Sequence, residues 1–142
     1  MTVNPTEPLT MPDGKSLPPL FTDFTHDNIG VPSNRAHPLA QAEPDLGIGK
    51  VLNDARENGK FKVMSLRNIQ RTKPYGHNGF FMSLDEITHF YNTRDVASEG
   101  WADPEYTATV NDTELGNLGL SAKDEDALVK FMKALTDGYK VD

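Results

Sequence analysis

Ten prolines and eleven glycines are spread through 142 residues, and breakers at that density limit how much regular structure the chain can hold. Loops must therefore be long, and order has to be sought where turn chemistry, capping residues and apolar periodicity coincide. One stretch concentrates all three. Residues 59–92, GKFKVMSLRNIQRTKPYGHNGFFMSLDEITHFYN, run from an extended entry through a short helix, a rigid Thr72-Lys73-Pro74-Tyr75 turn and a polar His77-Asn78-Gly79 hinge to a capped helix ending in Phe90-Tyr91. If the chain has a site, its walls are expected here.

The length suits one domain with a single core. A net charge of -7 and a pI near 5.0 argue against nucleic acid or an anionic membrane as partner, since those surfaces select lysine and arginine clusters. A basic partner is compatible, although acidity is also a common solubility device. There is no cysteine, which excludes disulfides, thiolate zinc sites, iron–sulfur ligation, a cysteine nucleophile and any thioether-linked haem made by this chain alone. The opening MTVNPTEPLTMPDG has neither the basic nor the apolar region of a secretory signal, and no run reaches the roughly 20 apolar residues of a membrane span, so no membrane insertion is expected. Read literally, the polypeptide starts in the cytoplasm.

Residues 1–17, with their prolines and a Pro12-Asp13-Gly14 turn signal, read as a flexible arm that resists helix and sheet. Apolar and polar residues alternate from Leu20 to Pro32, suggesting a short strand or two. Residues 33–58 read as irregular loop, with a short helix possible only around Val51 to Glu57. Phe61 and Val63 mark another extended piece, and Ser65 can cap a brief helix from Leu66 to Arg71 that must stop before Pro74. Ser83-Leu84-Asp85-Glu86 matches a capping box and starts a helix running to Asn92. Trp101 is expected to pin the irregular segment that follows. Ser121 caps a last helix from Ala122 to about Thr136, stopped by Gly138, whose apolar face is Leu128, Phe131, Met132 and Leu135. That face is expected to meet Leu84, Ile87, Phe90 and Tyr91. The fold class is a loop-rich, mainly α domain with one or two short extended segments.

His26, His37, His77 and His89 show neither His-x-x-x-His spacing nor a carboxylate cluster, which argues against a dedicated zinc site. No phosphate loop, nucleophile elbow or paired-aspartate signature is present. Flanking glycines make His77 the best candidate for a functional imidazole, against the alternative of a turn residue bonding nearby backbone. Tyr91, at i+7 on an amphipathic helix, reads first as a core aromatic.

Three blocks carry a resemblance. LFTDFTHDNIGVP, GKFKVMSLRNIQRTKPYGHNGFFMSLDEITHFYNTRD and ELGNLGLSAKDEDALVKFMKALTDGY, in that order from about Pro18 to Tyr139, resemble the C-terminal haem domain of bacterial di-haem cytochrome c peroxidases, including their relatives in methylamine utilisation. The resemblance implies a partial cytochrome c-like domain over 18–142. It implies a periplasmic enzyme that reduces hydrogen peroxide with electrons from a small cytochrome or cupredoxin, using haem c. Thr72 and Pro74 match positions whose backbone carbonyls help hold calcium. His77 matches the histidine of the Pro-Tyr-x-His-Asn-Gly turn beside the haem. Tyr91 matches the axial position on the haem iron, where an oxygen donor favours ferric and higher states over the potential-raising methionine. Arg67 matches a propionate or structural partner.

The family's Cys-x-x-Cys-His motif has no counterpart in this sequence, nor does its N-terminal haem domain. The economical expectation is a fragment or split reading frame, inactive in isolation, of marginal stability because the haem and its attachment helix would supply much of the core. The partner would be the missing haem-bearing segment. The alternative is a haem-free binding or structural module, and a third reading is non-covalent haem binding with His26 or His77 proximal.

Overall fold

The computed structural model describes residues 6–38 and 42–138, so residues 1–5 of the expected arm and Tyr139 at the end of the last matched block lie outside it. Three α-helices and four two-residue strands are joined by loops and 3-10 turns: β1 Leu9–Thr10, β2 Ser16–Leu17, β3 His26–Asp27, α1 Gly47–Leu52, β4 Phe61–Lys62, α2 Leu84–Thr93 and α3 Ala122–Ala134. The helices have 6, 10 and 13 residues, so the chain is better described as loop-rich than as mainly α.

Several local expectations need correction. The stretch read as resisting sheet forms a small antiparallel hairpin, Leu9 opposite Leu17 and Thr10 opposite Ser16. Its turn is where Pro12-Asp13-Gly14 signals one, with Gly14 N–H donating to Met11 O at 2.9 Å. The alternating segment, read as a short strand or two, does hold one, His26–Asp27, paired antiparallel with Phe61–Lys62. Phe21 and Phe24 have φ of 51° and 63°, and left-handed residues cannot continue a pleat. The helix expected over 51–57 lies earlier, as α1, because Asn53 turns left-handed and ends it; Ala55–Glu57 is a separate 3-10 turn capped by Asp54. The helix expected over 66–71 shrinks to one 3-10 turn, Ile69–Arg71, preceded by a left-handed Asn68. Ser65 accepts the Arg67 N–H at 3.2 Å but spends its own proton on Leu20 O, tying this segment to the chain before β3 instead of starting an α-helix.

The two main helices begin where their serines indicate. Ser83 accepts the Glu86 N–H at 3.1 Å, although Glu86 reaches past the cap to the Met82 N–H at 2.8 Å, so the expected reciprocal box is not closed. Ser121 and Asp124 do close one. The core is formed by Val31, Tyr75, Phe81, Leu84, Phe90 and Val129, with Ile29, Ile69, Phe80, Ile87, Trp101 and Met132 packed against it. Trp101 stands edge-on to Phe90 at 5.2 Å and donates to Thr93 Oγ1 at 3.1 Å, pinning its loop as expected. The face of α3 is rotated from the expected one: Val129 is buried, while Leu128 and Phe131 are each 43% exposed. Phe131 instead meets Phe21 edge-on at 5.6 Å.

Candidate functional site

Residues 75–81 form a braced loop at the edge of the core. Tyr75 N–H donates to Phe81 O at 2.8 Å and Phe81 N–H to Tyr75 O at 3.1 Å, closing the base. The Lys73–Pro74 peptide is cis, and Gly76 and Gly79 have φ of 83° and 67°. A Cβ on residue 79 would lie 3.0 Å from the Pro74 ring, so backbone angle and space both select glycine. The turn is completed by Asn78, whose Oδ1 accepts the Phe80 N–H at 3.1 Å and whose Nδ2 donates to Pro32 O at 2.8 Å.

This loop aims His77. Residue 77 is exposed as a whole, yet its side chain keeps only 13% of its surface, so the backbone faces solvent and the ring faces inward. The imidazole lies flat on Phe61, centroids 3.9 Å apart and planes 5° from parallel, and Nε2 is 2.8 Å from Glu105 Oε2. From the other side, α2 contributes Tyr91. It is 38% exposed and not a core residue, which corrects its reading as part of the buried helix face. Surrounding protein, with the Asp27 carboxylate adding to it, pushes its phenol up to about 12.

Thr72, Pro74, His77 and Tyr91 all line one cavity of about 520 Å³, whose wall also carries Ile29, Val63, Met64, Leu66, Ile69 and Ile87. Arg67 is not among its lining residues. Its Nε donates to Pro19 O at 2.6 Å and its guanidinium sits 5.6 Å over the Phe21 ring, a role in holding the segment before β3. His26 pairs with Lys62 in the β3–β4 ladder and also does not line the cavity. A second, polar pocket of about 380 Å³ shares Pro74, Gly76 and His77 with the first and adds Asn34, Asp45, Asn78 and Glu105. Sequence reasoning missed Glu105, Asp27 and Phe61. No spacing could have found Glu105, which lies 28 residues from His77 across irregular chain.

An apolar cavity of this size with a few convergent polar groups suits a flat organic cofactor, and a phenol and an imidazole are both competent iron ligands. A calcium ion is only partly provided for. It takes about 6–8 oxygen ligands, and among the described residues no group of three or more His, Asp or Glu is placed to hold a metal, so Thr72 and Pro74 carbonyls could supply a fraction of the shell.

No family model matches the chain. It is 35% identical to the methylamine utilization protein MauG of Paracoccus denitrificans strain Pd 1222, over 82% of this chain and 35% of that protein. It is 36% identical to the cytochrome-c peroxidase IdrP2 of Denitromonas iodatirespirans, over 67% of this chain and 22% of that protein. The chain is a homologue of MauG and the di-haem cytochrome c peroxidases. Solved structures agree. The diheme peroxidase BthA from Burkholderia thailandensis E264 superposes with a TM-score of 0.72 at 29% identity, over 85% of this chain and 35% of BthA. A MauG-like protein associated with microbial copper homeostasis gives 0.62 at 30% identity, over 80% of this chain and 35% of its own. The match falls on the C-terminal part of these di-haem peroxidases, and the chain spans 35% of the length of MauG.

Proposed function

We propose that this chain is the C-terminal part of a di-haem cytochrome c peroxidase and contributes the distal half of a haem site to an enzyme that reduces hydrogen peroxide. The observation that carries this reading is the convergence of Thr72, Pro74, His77 and Tyr91, drawn from a loop and a helix, on one largely apolar cavity. Haem, when bound, supplies the electron-transfer chemistry. The chain's own residues supply the surroundings. Tyr91 offers an oxygen donor that favours the ferric state, the aliphatic wall gives a flat guest an apolar face to lie against, and His77 places an imidazole beside it. The sequence holds no cysteine, so thioether attachment of a haem would fall to another segment, and the isolated chain is read as inactive. The periplasm, a small cytochrome or cupredoxin donor, and a calcium ion shared through Thr72 and Pro74 complete the proposal. Among the described residues no helix is long and apolar enough to cross a membrane.

The test is haemin titration of the full chain. A saturable Soret shift at micromolar haemin is expected, with affinity falling at least about tenfold and the ferric ligand band lost in Tyr91→Phe. No spectral change at micromolar haemin would overturn the cavity's part as a haem site. A haem-free binding module is the second reading. It draws on Val51 and Leu52, 82% and 58% exposed side by side at the end of α1, and it is favoured if the titration is silent.

A further inference from the structure

Met64 and Met82 are about equally open to solvent, with 67% and 62% of their surface exposed, yet they stand in different places. Met64 lines the apolar cavity, between Val63 and Leu66 of the same wall, and among the described methionines it alone does so. Met82 lines neither that cavity nor the polar pocket, and Met132 packs against the core. The backbone on both sides of Met64 is tied down. Val63 N–H donates to Thr25 O at 2.9 Å, Val63 O accepts from Thr22 Oγ1 at 2.5 Å, and Ser65 Oγ donates to Leu20 O. The residue therefore cannot leave the wall without pulling 20–25 along, and only its unbranched side chain is free to move. A thioether so placed has two properties at once. It is apolar enough to form part of a wall for a flat guest, and it is within reach of a small oxidant in solvent.

We propose that Met64 is a modification site: hydrogen peroxide converts it to methionine sulfoxide, and the change loosens the cavity's hold on its guest. The proposal rests on reading that cavity as a haem site. Under the same reading hydrogen peroxide is the substrate of the whole enzyme, so oxidant and site meet in one protein. The step is a two-electron oxidation of sulfur. A sulfur lone pair attacks one peroxide oxygen, the O–O bond breaks and an S–O bond forms. The departing hydroxide takes the proton from the oxygen now on sulfur and leaves as water. The sulfoxide is a strong acceptor set in an apolar wall, and the face of a porphyrin cannot donate to it, so the guest covers that oxygen at a cost. Most of the side chain already faces water, which makes the effect a weakening and not a loss. Sulfoxide reductases return the thioether, so the change is reversible.

The full chain is treated with hydrogen peroxide, freed of it, and only then titrated with haemin and, separately, with protoporphyrin IX, which has no iron to ligate. Peptide mass spectrometry is expected to find sulfoxide at Met64 and Met82 ahead of Met132. Affinity for both porphyrins is expected to fall about tenfold and to return after treatment with methionine sulfoxide reductases A and B. Met64→Leu conserves volume and is expected to bind alike before and after peroxide, whereas Met82→Leu loses affinity as the wild type does. Met64→Gln, polar from the start, is expected to bind more weakly than the untreated wild type with no peroxide added. Unchanged affinity of the wild type with Met64 oxidised overturns the proposal, as does a Met64 that stays a thioether while Met82 is oxidised. An equal fall in Met64→Leu overturns it too, placing the effect at another residue. A fall for haemin alone overturns the part given to the wall. All of these leave the haem site standing, whereas failure of the untreated wild type to bind haemin sinks the site and the proposal together.

Discussion

Phe81 and Phe90 keep none of their surface, and their rings lie 4.8 Å apart where the braced loop meets α2. Truncating Phe81 to alanine removes the contact that seats the loop carrying His77. Phe81→Ala is expected to cost about 3–5 kcal/mol in urea denaturation, enough to unfold a marginal domain, and a loss under 1 kcal/mol would show that the loop is held by its hydrogen bonds instead. Legibility at this scale follows locality. His77 stands out because glycines flank it, and Tyr91 because it lies in a stretch that resembles the di-haem peroxidases. Glu105 does not, because an acidic residue in an irregular loop gains meaning only from what folds against it.

The caps of α2 and α3 were readable at the level of the element, since a serine hydroxyl and the backbone three residues on are neighbours in any chain that starts a helix there. Ser121→Ala is expected to destabilise α3 by about 1 kcal/mol, measured as a shift in the urea midpoint without change in slope. Which face α3 buries was not readable, since the apolar stripe fits two rotations and the partner chooses: Val129 goes in and Leu128 stays half out. The contact also carries a pH dependence. His89 on α2 lies 3.0 Å from Glu125 of α3 and 3.2 Å from Glu99, and the Glu125 bond is the main cause that raises its pKa. A raised histidine contributes stability that is full below about 6.5, its unfolded value, and fades as pH rises through the higher folded value. With 39% of the side chain exposed, screening keeps this below about 1 kcal/mol. The melting temperature is expected to decline modestly from pH 6 to pH 8, and the decline to vanish in His89→Asn. An unchanged slope in that variant would assign the dependence elsewhere.

As a whole molecule the chain closes a small aromatic core under long loops and keeps an open apolar cavity beside it. Such a domain is expected to melt broadly and at modest temperature when free of ligand. Haemin, if it binds the folded form alone, should raise the midpoint by the linkage term, about 2.7 kcal/mol at a hundredfold excess over its dissociation constant. A sharp, high-temperature transition without haemin would count against the dependence of the core on a guest. The loop-rich character was legible from the breakers, whereas the cavity was not, because its wall gathers residues from Asp27 to Tyr91 that no single window of sequence contains. Three of its lining residues, Pro74, Gly76 and His77, also line the polar pocket. An occupant of either pocket that shifts a shared side chain is coupled to the other pocket. Whatever displaces the imidazole from one side changes affinity on the other, and by reciprocity a guest in the apolar chamber alters the hold of the polar one on its own occupants by the same factor.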